Sequence, residues 1–327
     1  MRRREFITLL GGAVAWPVVA RAQQAGGMRR IGIVTAPAET DPEGQLRIRT
    51  FRAGLRKLGW IESRNLRVEY RWGVSSPDRA RAVAQELVAL APDLIAVFGT
   101  PPLGALKQAT QTIPIVFAQV SDPVDGGFVA SAARPGGNVT GFSDYEYSFA
   151  VKWAELLKEI APGVSRAVVL YDRTGPGPRF LPHLEAGAPT IGMRASGTLV
   201  ASEADVERAV SALAGATDAG IIVLAGAAIF GVRDQIIAAA LHHRLPAVYP
   251  FRAFALDGGL VSYGANTLAM YHGAAGYADR ILRGAKPAEL PIQFATTFDF
   301  VVNLRTAKSI GLEVPTSILL RADEVIE

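Results

Sequence analysis

Short apolar runs alternate with amphipathic stretches along most of this chain. Arg30-Ile31-Gly32-Ile33-Val34 has the unbroken apolar character of a buried strand. Residues 43–59 carry Leu46, Phe51, Leu55 and Leu58 near helical spacing, with Gly59 as a stop. Residues 66–72 alternate with period two, which predicts a half-buried or edge strand. Ser76-Pro77 then caps a helix running through Leu90. Residues 94–98 form a short apolar strand ended by Gly99-Thr100-Pro101-Pro102, followed by a helix to Thr110 and a strand at 113–118. A second series begins near Tyr147, with a helix at 147–160 and a strand at 167–171. A Gly/Pro-rich stretch at 173–189 follows, where the prolines predict irregular backbone with a short helical piece near 179–186. A strand is expected at 190–200, then a helix capped by Ser202 with Glu203 and Asp205 in its first turn. The rest reads as a strand at 220–224, a helix at 231–243, last strands at 246–249 and 259–263, and a long helix at 267–283 ended by Gly284.

Strand–helix alternation at this spacing means α/β architecture: parallel sheets with helices on both faces. Two such series, each roughly 110 residues, predict two lobes of like build. The expected division gives residues 28–142 plus about 265–300 to one lobe, and 143–264 plus about 301–327 to the other. The crossings near 142–146 and 264–266 are the expected hinge strands.

The N-terminus carries a different signal. Arg3-Arg4-Glu5-Phe6-Ile7 opens a short apolar run from Thr8 to Val19, and Ala20-Arg21-Ala22 supplies a small-x-small cleavage site. This is the layout of a twin-arginine export signal, cleaved after Ala22. The run is broken by Gly11-Gly12 and Pro17 and falls short of the roughly 20 residues that span a bilayer. It reads as an address, and it places the protein in a bacterial periplasm.

Composition narrows the chemistry. The chain has 327 residues, enough for two domains with substantial cores. The first 22 residues hold Arg2, Arg3, Arg4 and Arg21 against Glu5, so their removal takes the formal net charge from +4 to about +1. That near balance gives no support for nucleic-acid binding, which needs a concentrated basic face. The absence of cysteine excludes thiolate catalysis, Cys-ligated zinc and iron–sulfur clusters. The four histidines, His183, His242, His243 and His272, form no metalloprotease motif. There is no dinucleotide fingerprint, no phosphate-binding lysine loop and no nucleophile elbow. The expectation is therefore no catalytic residue, no metal and no cofactor.

In open parallel sheets, ligands bind beyond the carboxyl ends of the strands. That rule nominates Thr35, Gly99, Thr100, Ser121, Asp122, Phe142, Ser143, Tyr171, Ala225, Tyr249 and Tyr263. Both lobes contribute, so the site is expected in the cleft between them. The set is rich in hydroxyls, amides and aromatics. Gly99-Thr100 stands before a helix whose N-terminus could hold a carboxylate. Tyr171, Tyr249 and Tyr263 could close over an apolar body. Asp122 or Asp172 could accept from an ammonium group, although Asp122-Pro123 is also a common turn signal.

Several blocks carry a resemblance. They are Ile113–Phe117, Asp122-Pro123-Val124, the run from Ala133 to Gly141, that from Arg244 to Arg252, that from Gly258 to Gly264, that from Ala278 to Pro287, and Asn303–Lys308. In combination the chain resembles the substrate-binding components of ABC transporters, in the subfamily that includes tryptophan- and tyrosine-binding members. The resemblance implies a periplasmic binding fold of type I, with two Rossmann-like lobes joined by hinge strands. It implies a monomer that closes on a small organic solute, an amino acid or an aromatic or branched carboxylate, and delivers it to an ABC permease without chemistry. A periplasmic ligand-sensing subunit for a membrane receptor remains the alternative, and an exported hydrolase a more distant one. Two departures stand out. Ala225-Gly226 occupies the place of a usual Pro-Asp pair, and the prolines of 173–189 interrupt a usual long helix.

Overall fold

The computed structural model describes residues 27–173 and 175–327. The export signal and its cleavage position lie outside the described residues. The first series builds β1 (Arg29–Thr35), α1 (Pro42–Lys57), β2 (Leu66–Arg71), α2 (Pro77–Ala89), β3 (Leu94–Phe98), α3 (Thr100–Ala109), β4 (Ile115–Val120) and β5 (Val139–Ser143). Asp41 caps α1 by accepting from the Gly44 amide at 2.8 Å, and Ser76 caps α2 by accepting from Arg79.

The second series comprises α4 (Ala150–Ile160), β6 (Arg166–Tyr171), α5 (Gly177–Gly187), β7 (Arg194–Leu199), α6 (Glu203–Ser211) and β8 (Ala219–Val223). It continues with α7 (Ala227–Gly231), α8 (Arg233–His242), β9 (Ala247–Tyr249), α9 (Arg252–Leu256) and β10 (Val261–Ala265). The tail adds α10 (Thr267–Leu282), β11 (Gln293–Phe294), β12 (Phe298–Asn303), α11 (Leu304–Ile310), α12 (Thr316–Leu319) and β13 (Glu324–Ile326).

Two sheets result. The first has strand order β11-β5-β4-β3-β1-β2 and is parallel throughout. The second runs β13-β12-β10-β9-β8-β6-β7 and is parallel except where β12 lies antiparallel to β10. The inner strands β3 and β8 are buried along their whole length, as their continuous apolar runs require. The alternating segment β2 is indeed an edge.

The chain passes between the sheets after β5, after β10 and between β11 and β12. These passages lie side by side. The Ala295 amide donates to the Ser143 carbonyl at 3.0 Å, and the Asn266 amide to the Thr297 carbonyl at 2.9 Å. Tyr145 ties the first passage to the second: its hydroxyl accepts from the Ala265 amide and donates to the Pro250 carbonyl. Gly264 admits this approach, because a Cβ there would stand 1.8 Å from the Pro250 oxygen.

Two expectations are corrected. The helical piece expected near 179–186 is present, but it runs from Gly177 to Gly187 and takes in Pro178 and Pro182, so less of this stretch is irregular than the prolines predict. Pro178 sits in the first turn, where an amide has no intrahelical partner. The loss at Pro182 is offset by burial of Phe180 and Leu184, with Phe180 edge-on to Tyr145, Tyr147 and Trp153. The second correction concerns the tail, where β11, β12 and β13 follow what read as the last strands. The antiparallel β12 is only partly covered at its start, where Asp299 interrupts the apolar run that marks the inner strands.

Candidate functional site: the cleft between the sheets

The carboxyl ends of both sheets face one cavity of about 460 Å³, within the range of small-molecule sites. The first lobe supplies the loop after β1, the end of β3 with Gly99-Thr100-Pro101, Gln119 of β4 and Ser121 just beyond it. The second supplies the loop after β8, the turn Phe230–Arg233, and Phe251 after β9. A larger hollow of about 860 Å³ lies between α1 and the edge strand β2, but it is lined by the first lobe alone.

Arg47 is the central cation. It falls on the buried stripe of α1 with Gly44, Ile48, Phe51 and Leu55, and is 4% exposed. Its Nε donates to Glu43 at 2.9 Å and its Nη1 to the Gln119 side chain at 3.1 Å. Nη2 is buried with no hydrogen-bond partner among the described residues. The guanidinium stands over the Phe230 ring, 4.8 Å from its centroid, and 5.8 Å from that of Phe251.

Gln119 reaches this position through backbone irregularity. The pairing of β4 with β5 shifts register between Ala118 and Val120, and Gln119 has φ of +57°. A bulge of this kind re-aims one side chain, and here it turns Gln119 into the cleft. Its Oε1 also accepts from the Tyr271 hydroxyl at 3.1 Å. The Tyr271 ring stacks on Phe98 at 4.1 Å, giving the first lobe an aromatic wall.

Asp144, directly after β5, is the buried acid of the site at 5% exposure. Its Oδ1 accepts from the Ser121 hydroxyl at 2.7 Å and the Tyr145 amide at 2.9 Å. Burial outweighs these bonds and pushes its carboxyl up to about 6. At the cleft mouth, Arg233 of the second lobe donates to Asp41 of the first at 2.7 Å, with Asp257 on its other side at 2.8 Å. Burial pushes the Asp41 carboxyl up, but the Gly44 amide and Arg233 outweigh it and hold it below its ordinary value.

Of the residues nominated from sequence, Gly99, Thr100, Ser121 and Ala225 line the cavity. Thr35 is buried beside the Tyr271 hydroxyl, behind the wall. Asp122 lies in the turn after β4, with φ of +42°, and its amide donates to the Tyr145 carbonyl. Phe142 faces away, edge-on to Tyr277 at 4.9 Å. The Ser143 hydroxyl is buried without a partner among the described residues. Tyr171 packs over Gly177 and Gly197. Tyr249 stacks on Phe254 in the second lobe's core, and Tyr263 stacks on Phe149 near the hinge. None of these seven lines the cleft. Asp172 is occupied too, accepting from the Gly175 and Ala228 amides. Gly226 makes room for it, since a Cβ there would meet Asp172 Oδ2 at 2.3 Å.

Arg47, Gln119, Asp144, Phe230, Arg233, Phe251 and Tyr271 were missed. Arg47 had a readable signal, an arginine in register with apolar positions on a helix. Asp144 lies one residue beyond a nominated serine. Nothing in the local sequence announces the bulge that aims Gln119.

With this geometry in view, the comparisons are decisive. Residues 33–326 match the family model described as ABC transporter substrate binding protein. The chain belongs to that family. This binding protein is 24% identical over 264 residues to the tyrosine-binding protein of Clostridioides difficile, covering 80% of its own length and 76% of the relative's. Among solved structures it is similar to a Streptococcus pneumoniae protein in complex with L-tryptophan, at TM-score 0.83 and 24% identity, covering 91% of this chain and 99% of that one. A conserved domain protein from Vibrio cholerae gives TM-score 0.84 and 29% identity over the same shares. The fold is thus the two-lobed α/β fold of periplasmic binding proteins, and the family function is binding of a small organic solute. Among the described residues, no helix is long and apolar enough to cross a membrane.

Proposed function

We propose that this substrate-binding protein works in the periplasm, closing its lobes on an amino acid or an aromatic or branched carboxylate and handing it unchanged to an ABC permease. The observation that carries this reading is the cleft itself: the strand tips of both sheets converge on one cavity, and the Asp41–Arg233 pair joins the lobes across its mouth. Residues 28–142 with about 265–300 move as one body, and 143–264 with about 301–327 as the other. A ligand that touches both bodies stabilises the closed state differentially. The tyrosine- and tryptophan-binding relatives support the solute class. The twin-arginine pattern at Arg3-Arg4 supports export, with cleavage after Ala22.

The test is a solute screen on the mature chain by thermal shift, followed by small-angle scattering on each hit. A hit that raises Tm and shrinks the radius of gyration supports the reading. Finding no solute that binds more tightly than about 1 mM, equivalent to roughly −4 kcal/mol, rejects it.

A further inference from the structure

Two buried charges in the cleft each lack one partner, and they have opposite sign. Arg47 has committed Nε to Glu43 and Nη1 to Gln119, which leaves Nη2 buried and unpaired among the described residues. Asp144 has committed Oδ1 to Ser121 and the Tyr145 amide, while Oδ2 takes no hydrogen bond and the carboxylate no ion pair among the described residues. The other cleft charges are satisfied. Arg233 is matched by Asp41 and Asp257, and Asp41 also caps α1. Asp172 is spent on two backbone amides. An incompletely paired buried charge is costly unless a ligand completes it.

The N-terminus of α3, the other place for an anion, is poorly equipped. Its second and third residues are Pro101 and Pro102, which carry no amide hydrogen. Thr100 is left to supply the one amide there. The charge-assisted donor for a carboxylate is therefore Arg47, whose planar guanidinium suits it. Aromatic side chains stand on both sides of this pair: Phe98 and Tyr271 from the first lobe, Phe230 and Phe251 from the second.

We propose that Arg47 and Asp144 are the two polar anchors of the cleft, taking the carboxylate and the ammonium of a zwitterionic amino acid whose side chain lies among the aromatic rings. This rests on the solute-binding reading and deepens it, because it requires both charges on one ligand. Among the described residues, Asp144 has no cationic partner and Arg47 has one unused N–H group, so a ligand bearing both charges meets both. A simple carboxylic acid would leave Asp144 without a cationic partner, and a simple amine would leave Arg47 Nη2 without an acceptor.

The experiment is calorimetric titration of the mature protein with four probe sets: L-amino acids including phenylalanine and tryptophan, their deaminated acids such as 3-phenylpropionate, their decarboxylated amines such as phenethylamine, and uncharged sugars and polyols. An amino acid is expected to bind at least about tenfold more tightly than its matched acid and its matched amine, the range for a hydrogen bond to a charged group. Asp144→Asn, which keeps the shape and an acceptor, is expected to erase most of the preference for the amino acid over the acid. Arg47→Gln is expected to erase the preference over the amine, with its melting curve taken to confirm folding. Equal binding of acid and amino acid, unaltered in Asp144→Asn, overturns the proposal and leaves the solute-binding reading standing. So does tight binding confined to an uncharged probe. Silence from all four sets overturns both.

Discussion

Asp144 puts a carboxylate where burial opposes its charge, and the effect on stability has a definite sign. The folded chain holds this proton up to about pH 6, whereas the ordinary carboxyl releases it near 3.8. Folded protein therefore binds more protons than unfolded protein between those values, and stability present at low pH is lost as pH rises through about 6. The rise corresponds to roughly 3 kcal/mol at most. Asp144→Asn removes the charge and keeps an oxygen for Ser121 and the Tyr145 amide. The ligand-free variant should unfold at higher urea than the parent at pH 7.5, with the gap closing near pH 4. A variant no more stable at pH 7.5 would mean that the carboxylate is already compensated. A residue retained at a cost to the empty protein is one whose worth shows when the cleft is filled.

Among the elements, α5 gives the clearest measurement. Its prolines limit the helix that the local sequence predicts to a short piece, and packing extends it through Phe180 and Leu184, both fully buried. Phe180→Ala should destabilise the protein by about 3–5 kcal/mol, read as a lowered urea midpoint with loss of near-ultraviolet signal from the Tyr145–Trp153 cluster. A change below about 1 kcal/mol would mean that the helix stands on its own propensity. The same contest between local and tertiary terms decided what could be read from the chain. Inner strands such as β3 and β8 were legible because a continuous apolar run has few other homes. The cleft's location followed from their carboxyl ends. Its lining did not, because a strand buried on both faces carries no alternation to say which side a terminal residue takes. Tyr249 turns into the second lobe's core and Phe142 toward α10 for that reason. Gln119 escaped because a one-residue bulge reverses the parity of the strand that bears it.

At the scale of the molecule, the lobes touch across the cleft through Asp41–Arg233 and through Arg47 against Phe230. The ion pair is mostly covered, at 14% and 15% exposure, so it is screened less than a surface pair. Asp41→Asn keeps the cap on α1, because asparagine caps as well as aspartate, and removes the charge that Arg233 meets. The ligand-free variant should show a larger radius of gyration by small-angle scattering. Its solute affinity should fall about fivefold if the pair is worth about 1 kcal/mol. An unchanged radius would place the closing energy in the aromatic contacts instead.

The order of strands in the second sheet bears on how the protein is made. β10 is paired on one side by β9 and on the other by β12, which comes from residues 298–303. A nascent chain that has not yet left the ribosome beyond that point presents the largely buried row Val261–Ala265 as a bare edge, ready to pair with any neighbour. Chains cut short before residue 298 should accumulate as aggregates or in the hands of chaperones, even though every cleft-lining residue, up to Tyr271, has already been synthesised.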